Sequence, residues 1–584
     1  MRSDLSLRRF LWTAVVALLS VPAVATAQEG ILAAPPAHYD YDRDTFHPVY
    51  AQHGMVATEQ ALASQVGADI LKQGGNAVDA AVGVGFALAV VLPNAGNIGG
   101  GGFMLVHDEK TGKDIALDFR EVAPGKATET MFQDENGNVI KDASLYTHNA
   151  VGVPGTVAGM QYALEHWGTM KLADVIAPSI SLAEKGFPVS YGLAHMLELE
   201  KAHLAPWEST RKIFFRDGHP LREGDMLVQK DLGHSLSLIA TQGPKAFYNG
   251  EIADRIVAEM KQHGGIMTRK DFEDYKVAVR EPVSGEYRGF KVVSMPPPSS
   301  GGVHIIEILN MLEHYPLSQY GFGSAKAIHY MAEAMKLAYA DRSKYLGDPD
   351  FTKVPVKGLT SKHYADELVQ RIDPVKPLPA EAFKPGNPLP YESSQTTHYS
   401  IVDGKGNAVA VTYTLNFDFG SGIVAEGTGI MLNDEMDDFS SKPGVPNGYG
   451  VTGGKANAIE PRKRPLSSMS PTFVLKNGKI WLVTGSPGGS RIITTTLQTI
   501  LNMIDFGMNP AEAATAPRVH DQWLPDTLRI EKGLSPDTLK ILQDEGYHVS
   551  PEPTMGRVQI IQVRDDGVYG YSDSRNPDGA AIGY

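Results

Sequence analysis

Apolar and polar positions between residues 58 and 92 follow a helical period broken once, and the pattern predicts two helices. The first ends at Lys72-Gln73 before Gly74-Gly75, where glycine takes a left-handed cap, and Asn76 caps the second. That second helix, residues 77–91, is apolar almost all round and rich in Ala and Gly, so it should be buried and closely packed. It is too short to span a bilayer, and Pro93 stops it. Four glycines at 99–102 precede a strand-like run at 103–107. The cluster lacks the lysine and serine or threonine of a nucleotide loop, so it reads as a close backbone approach between strand and helix. Strand and helix signals continue to alternate through residues 292–295 and 325–339, and no fixed-period repeat marks a solenoid or propeller.

The clearest boundary is residues 373–395, where Pro374, Pro377, Pro379, Pro385, Pro388 and Pro390 leave little periodicity and predict a surface linker. Directly after it the pattern becomes regular: a strand over 396–402, a glycine-containing turn over 403–407 and a returning strand over 408–415. A buried hairpin therefore begins where an exposed segment ends.

Composition narrows the picture. The 584 residues are 42% hydrophobic and 21% charged, as in a globular protein with a large core. The N-terminus has Arg2, Arg8 and Arg9, an apolar run over 10–19 and then Ala25-Thr26-Ala27, the layout of a cleaved export signal over residues 1–27 with Gln28 as the mature start. A periplasmic or secreted location is expected. With no cysteine in the chain, disulfides, thiolate metal sites and a cysteine nucleophile are excluded. Residues 1–27 carry a net +2, so their removal takes the formal charge from −14 to −16, which argues against nucleic acid as a partner. Neither an H-E-x-x-H motif nor a ligand cluster of zinc spacing is present, so no metal or other cofactor is expected.

The chemistry gathers after residue 396. Thr396-Thr397-His398-Tyr399-Ser400 opens the hairpin and Thr414-Leu415-Asn416 closes it. Glu435-Met436-Asp437-Asp438, the run from Arg464 through Ser467-Ser468 and Gly485-Ser486-Pro487-Gly488-Gly489-Ser490-Arg491 follow in order. The glycine run is not a G-x-S-x-G elbow, because proline follows the serine. These motifs, with Asp118-Phe119-Arg120-Glu121, resemble the gamma-glutamyltransferases of the N-terminal-nucleophile hydrolase superfamily, and the resemblance covers essentially the whole mature chain.

The resemblance implies an α/β fold, the four-layer α-β-β-α sandwich, with cleavage between Gln395 and Thr396. Residues 28–395 would form a large subunit and 396–584 a small one, joined as a heterodimer. A threonine hydroxyl is a poor nucleophile without a base, and an N-terminal threonine supplies its own in the α-amine, whose reference pKa of about 7.7–8.0 suits that duty. Inside an intact chain the same nitrogen is an amide, so cleavage is activation. By the same resemblance Thr414 bonds the nucleophile and assists maturation, while the N–H groups of Gly488 and Gly489 form the oxyanion hole. Asn416, Glu435 and Asp438 hold the substrate α-ammonium, and Arg120, Ser467 and Ser468 its α-carboxylate. Tyr449, in a Pro/Gly loop, closes over the substrate. Arg120 and Asp438 are expected to act on opposite ends of the gamma-glutamyl moiety.

The implied reaction is acyl transfer from glutathione or another gamma-glutamyl compound to water or to an amino acid or dipeptide acceptor. Two rivals fit the residues less well, since Asn416, Glu435 and Asp438 are intact and Thr396 and Thr414 are both present. An acylase of the same fold acting on glutaryl side chains would have no use for the α-ammonium set, and a secreted binding protein without activity would be free to lose Thr396 or Thr414.

Overall fold

The hairpin predicted after the linker lies at the centre of the molecule. Strands Thr397–Val402 and Ala408–Thr414 pair antiparallel, from Thr397 opposite Tyr413 to Val402 opposite Ala408. The turn is tied by the Asp403 carboxylate, which accepts from the Lys405 and Asn407 backbone N–H groups and from Asn407 Nδ2. Every residue of both strands is buried. The computed structural model describes residues 44–383, 396–442, 444–445, 447–448, 450 and 453–584. The expected signal, Gln395, much of the linker and Tyr449 lie outside the described residues.

Around the hairpin runs an antiparallel seven-stranded sheet, ordered Ala580–Gly583, Met55–Thr58, Thr397–Val402, Ala408–Thr414, Gly101–Asp108, Lys113–Phe119 and Ala278–Arg280. A second antiparallel sheet of seven strands is ordered Val49–Ala51, Gly567–Ser572, Gln559–Arg564, Lys479–Gly485, Thr472–Lys476, Phe290–Ser294 and Val283–Tyr287. Each sheet combines strands from before and after residue 396.

The two-residue period of these strands builds the layers. Met55, Ala57, Phe103, Leu105, Ala408 and Ala410 of the first sheet meet Val293, Phe473, Leu475, Val483 and Ile561 of the second in one apolar cluster. Their neighbours Val56, Met104, Val106, Tyr399, Ile401, Val409 and Val411 face the opposite way, into a cluster with helices Ala61–Lys72, Ala77–Val91 and Thr156–Trp167. On the far side Val292, Val474, Leu482 and Ile560 pack under helices Gly301–Leu312, Ala325–Tyr345 and Ile492–Ile504. The order is helix, sheet, sheet, helix. Each buried Val or Leu contributes about 1.5–3 kcal/mol relative to exposure, which makes register hard to slip.

Helix Ala77–Val91 is buried along its whole length and starts at a capping box between Asn76 and Asp79. It is pinned to the hairpin by two phenols, Tyr399 donating to the Ala81 carbonyl at 3.0 Å and Tyr413 to the Gly85 carbonyl at 2.9 Å. The glycine cluster makes the close backbone approach its pattern predicts, but to neighbouring strands rather than to a helix: a Cβ on Gly100 would lie 2.0 Å from the Thr414 carbonyl oxygen, and one on Gly102 2.5 Å from that of Thr412. Backbone contact there sets the height of the strand that ends at Thr414.

Candidate functional site

Thr396 stands at the head of the inner strand, one step beyond the Thr397–Tyr413 pair, opposite Thr414. The two hydroxyls are 3.4 Å apart, with Thr396 donating, and both residues are buried. Thr414 is held in turn by the Asn416 N–H, which donates to its Oγ1 at 2.8 Å. Asn416 takes a positive φ of 83°, a conformation Asn tolerates better than most side chains, and its Nδ2 donates to the Asp434 carbonyl at 3.0 Å. The imidazole two residues along the strand, His398, is engaged elsewhere. Its Nδ1 meets Thr412 Oγ1 at 2.8 Å and its Nε2 meets Ser400 Oγ at 3.1 Å. Burial lowers its pKa to about 3, so it stays neutral.

Next to the threonines lies a cavity of about 20 Å³, room for about one water, lined in part by Thr396, Thr414, Arg120, Glu435, Asp438 and Gly489. Arg120 is fully buried at the end of strand Lys113–Phe119 and pairs directly with both Glu435 and Asp438. Burial opposes its charge, but these carboxylates and Glu121, 3.6 Å away, raise its pKa and keep the guanidinium protonated. The acidic side exceeds the basic. Burial pushes Glu435 well above the ordinary carboxylate range against the pull of Arg120, and raises Glu121 to about 7. A cationic ligand group would relieve that imbalance.

Glu435 and Asp438 sit on a short 3₁₀ turn, Glu435–Asp438, braced from behind. Asn433 Oδ1 accepts from the Glu435 N–H at 3.0 Å and from the Gly152 N–H at 2.8 Å, and Ser144 Oγ donates to Asp437 at 2.7 Å. Ser467 and Ser468 also line the cavity. The Ser467 carbonyl accepts from Ser300 N–H and Oγ, each at 2.8 Å, while its Oγ accepts from the Met469 N–H at 3.1 Å. Gly488 and Gly489 have φ of 139° and 54°, backbone that favours glycine, and form the turn into helix Ile492–Ile504. Gly489 lines the cavity, with Gly488 immediately before it.

The structure thus gathers Thr396, Thr414, Asn416, Arg120, Glu435, Asp438, Ser467, Ser468 and Gly489 around one cavity. It corrects one expectation: Arg120 and Asp438 touch, so they face the same part of a ligand rather than its opposite ends. It adds groups the motifs did not show. Arg342, buried on helix Ala325–Tyr345, donates from Nε to Ser300 Oγ at 2.9 Å and from Nη2 to Ser468 Oγ at 3.1 Å. Asn447 donates to Asp438 Oδ1 at 3.3 Å. Arg342 carries no local motif, and its signal is a cation near the end of a largely apolar helix.

Four layers around two antiparallel sheets, with a threonine heading an inner strand, define an N-terminal-nucleophile hydrolase fold. The solved cephalosporin acylase from Bacillus halodurans superposes with a TM-score of 0.80 at 30% identity, covering 94% of this chain and 99% of that one. The family model for gamma-glutamyltranspeptidase matches residues 63–583. The glutathione hydrolase proenzyme of Escherichia coli K12 is 56% identical over 573 residues, 98% of both chains. The structure of Helicobacter pylori gamma-glutamyltranspeptidase is 48% identical with a TM-score of 0.56, covering 59% of this chain and 97% of that one. The chain belongs to the gamma-glutamyltranspeptidase family.

Proposed function

We propose that this chain is an exported, self-cleaving gamma-glutamyltransferase and glutathione hydrolase with Thr396 as its nucleophile. Residues 28–395 and 396–584 form its large and small subunits. The observation that carries the reading is the Thr396 hydroxyl, 3.4 Å from that of Thr414 and beside the cavity in which Arg120 meets Glu435 and Asp438. An α-amino acid head group carries an ammonium and a carboxylate on one carbon. It can replace an internal ion pair with two external ones, its carboxylate taking Arg120 and its ammonium taking Glu435 and Asp438. Asn416, Ser467 and Ser468 complete the hold on that head group.

In the uncut chain the Thr396 nitrogen is an amide. Once the Gln395–Thr396 bond is cut, the α-amine accepts the hydroxyl proton as Oγ1 attacks the gamma-carbonyl carbon. The Gly488 and Gly489 N–H groups stabilise the oxyanion, where the loss of one donor typically costs about 2.7–4 kcal/mol. The C–N bond then breaks, the proton passes to the departing amine, and a gamma-glutamyl ester remains on Thr396. Water, an amino acid or a dipeptide reverses these steps and releases the acyl group. Tyr449 closes over the bound donor. The retained Asn416, Glu435 and Asp438 favour this reading over a glutaryl acylase.

The test is denaturing electrophoresis of purified protein with N-terminal sequencing of the smaller band, which should begin Thr-Thr-His-Tyr-Ser. Thr396→Ala should leave one band of precursor size. Wild-type protein that stays uncut yet turns over gamma-glutamyl donors overturns the proposal.

A further inference from the structure

Helix Glu251–Gln262 ends beside residue 148, far along the chain from the threonine site, and there two imidazoles converge on one carboxylate. His148 Nε2 lies 3.0 Å from Glu259 Oε1, and His263 Nε2 lies 3.4 Å from the same oxygen. The three potential ligand atoms all fall within 4.8 Å of one another. Glu259 and His263 are four residues apart, so the helical period carries both to one face. The two imidazole rings stack, with centroids 4.6 Å apart and planes 13° apart. Trp207 stands edge-on to both, at 5.2 Å from His148 and 6.2 Å from His263.

We propose that His148, Glu259 and His263 form a binding site for a divalent transition metal of the zinc class. Two neutral imidazoles and one carboxylate are a borderline-soft donor set that suits Zn²⁺, Co²⁺ or Ni²⁺ rather than Ca²⁺ or Mg²⁺. With zinc bonds of about 2.0–2.2 Å, tetrahedral ligand atoms stand roughly 3.3–3.5 Å apart, close to the two separations found here. The side chains of His148 and Glu259 are 4% and 9% exposed and that of His263 is 38% exposed, which makes a site open to solvent on one side only. Binding would turn the partly exposed His263 ring out of its stack on His148, so that each Nε2 aims in its own ring plane at a metal beside Glu259 Oε1. Each ring then carries its proton on Nδ1, exchanged through solvent, and the open fourth position takes water.

The sequence carries no sign of this site because His148 comes from a different segment, and E-x-x-x-H within one helix is too common to mark a metal. Its position gives it a consequence. Ser144 and Gly152, on either side of His148, hold Asp437 and Asn433, so a metal here clamps to helix Glu251–Gln262 the segment that braces Glu435 and Asp438.

The test uses tag-free protein of the full mature chain titrated with Co²⁺ and with Zn²⁺. Calorimetry should give one equivalent, Co²⁺ should develop visible d–d absorption, and Trp207 should report binding through its fluorescence. Loss of even an outer partner of a ligand costs about 10–100-fold in affinity, so His263→Ala and Glu259→Gln should each bind at least about tenfold more weakly. His363→Ala, an exposed histidine elsewhere, should bind like wild type. His263 is partly exposed, so its replacement leaves the core intact, and zinc should raise the thermal midpoint of wild type but not of His263→Ala. Equal affinity and stoichiometry in wild type, His263→Ala and Glu259→Gln, or no binding to wild type at all, overturns the proposal.

Discussion

Arg120 donates from Nη2 to the Asp438 carboxylate while the same guanidinium pairs with Glu435, so one cation of the candidate subsite is shared by two carboxylates. A ligand must trade for both contacts at once. A zwitterionic head group can, whereas a glutaryl side chain offers a carboxylate alone and would leave Glu435 and Asp438 without a cation.

Asp438→Ala should therefore raise KM for gamma-glutamyl donors far more than for glutaryl ones, measured with matched chromogenic substrates. An uncompensated buried charge costs several kcal/mol, and only a donor with an ammonium loses that contact. Equal losses on the two donors would remove the ammonium contact from the proposal.

The Thr396 and Thr414 hydroxyls already meet in the uncut chain, so under the proposed mechanism Thr414 would act on Thr396 before any free amine exists. Thr414→Ala should slow self-cleavage by about 100-fold, the scale on which a misplaced attacking group is penalised. Turnover per mole of cut enzyme should fall less, since the new amine then activates the hydroxyl. Precursor half-life on gels, set beside activity normalised to the small fragment, separates the two effects. Normal maturation with a dead product would make Thr414 a turnover residue instead.

Glu435 carries a pH signature. Burial, opposed by Arg120, holds its carboxyl well above the ordinary range, so it gains a proton at a higher pH than a surface glutamate does. As pH falls through that raised value the negative charge disappears and the ammonium loses a partner. Donor KM should rise on acidification above the pH expected for a normal carboxylate. Glu435→Gln should remove that limb of the KM profile, and its persistence in the variant would assign it to another group.

A fourth expectation concerns stability. Arg518 is buried and donates to Asp573 Oδ2 at 2.5 Å and to the Met555 and Ala514 carbonyls at 2.6 and 2.8 Å. Asp573→Ala leaves that cation unpaired and should cost about 3–5 kcal/mol in thermal or denaturant unfolding. Although burial works against its charge, Arg518 and Arg575 hold the Asp573 carboxyl below its usual range. Its contribution is therefore complete above the unfolded-state pKa of about 3.9 and is lost as pH falls through the lowered folded value. Wild type should lose part of its stability on acidification through that range, and the alanine variant should not lose that part.

The strongest periodic signals in the sequence were local ones. Helix Ala77–Val91 and the hairpin at 397–414 follow from apolar period, an Asn cap and a glycine turn, each settled within a few residues. The glycines at 99–102 were legible as a close approach, but their partners, the carbonyls of Met431, Thr414, Phe119 and Thr412, were not. Arg342 escaped for the same reason. Its role rests on Ser300 and Ser468, 42 and 126 residues away, and a cation late in a helix looks alike whether it faces water or a cavity. The pairing of Arg120 with Asp438 spans 318 residues and shows in neither motif, so the resemblance, which gave one to the carboxylate and the other to the ammonium, set them at opposite ends of the ligand.

The sharing of both sheets between early and late strands has a further consequence. A cut before Thr396 would leave the segment Thr397–Thr414 seated between strands Met55–Thr58 and Gly101–Asp108, and the late strands from Thr472–Lys476 to Gly567–Ser572 seated between Phe290–Ser294 and Val49–Ala51. Parting the two pieces would mean unzipping both sheets, so their separation and the unfolding of the molecule become one event. Assembly would then be remembered from the single-chain stage: after denaturation two polypeptides must find each other, and recovery should depend on dilution where that of the uncut Thr396→Ala chain does not.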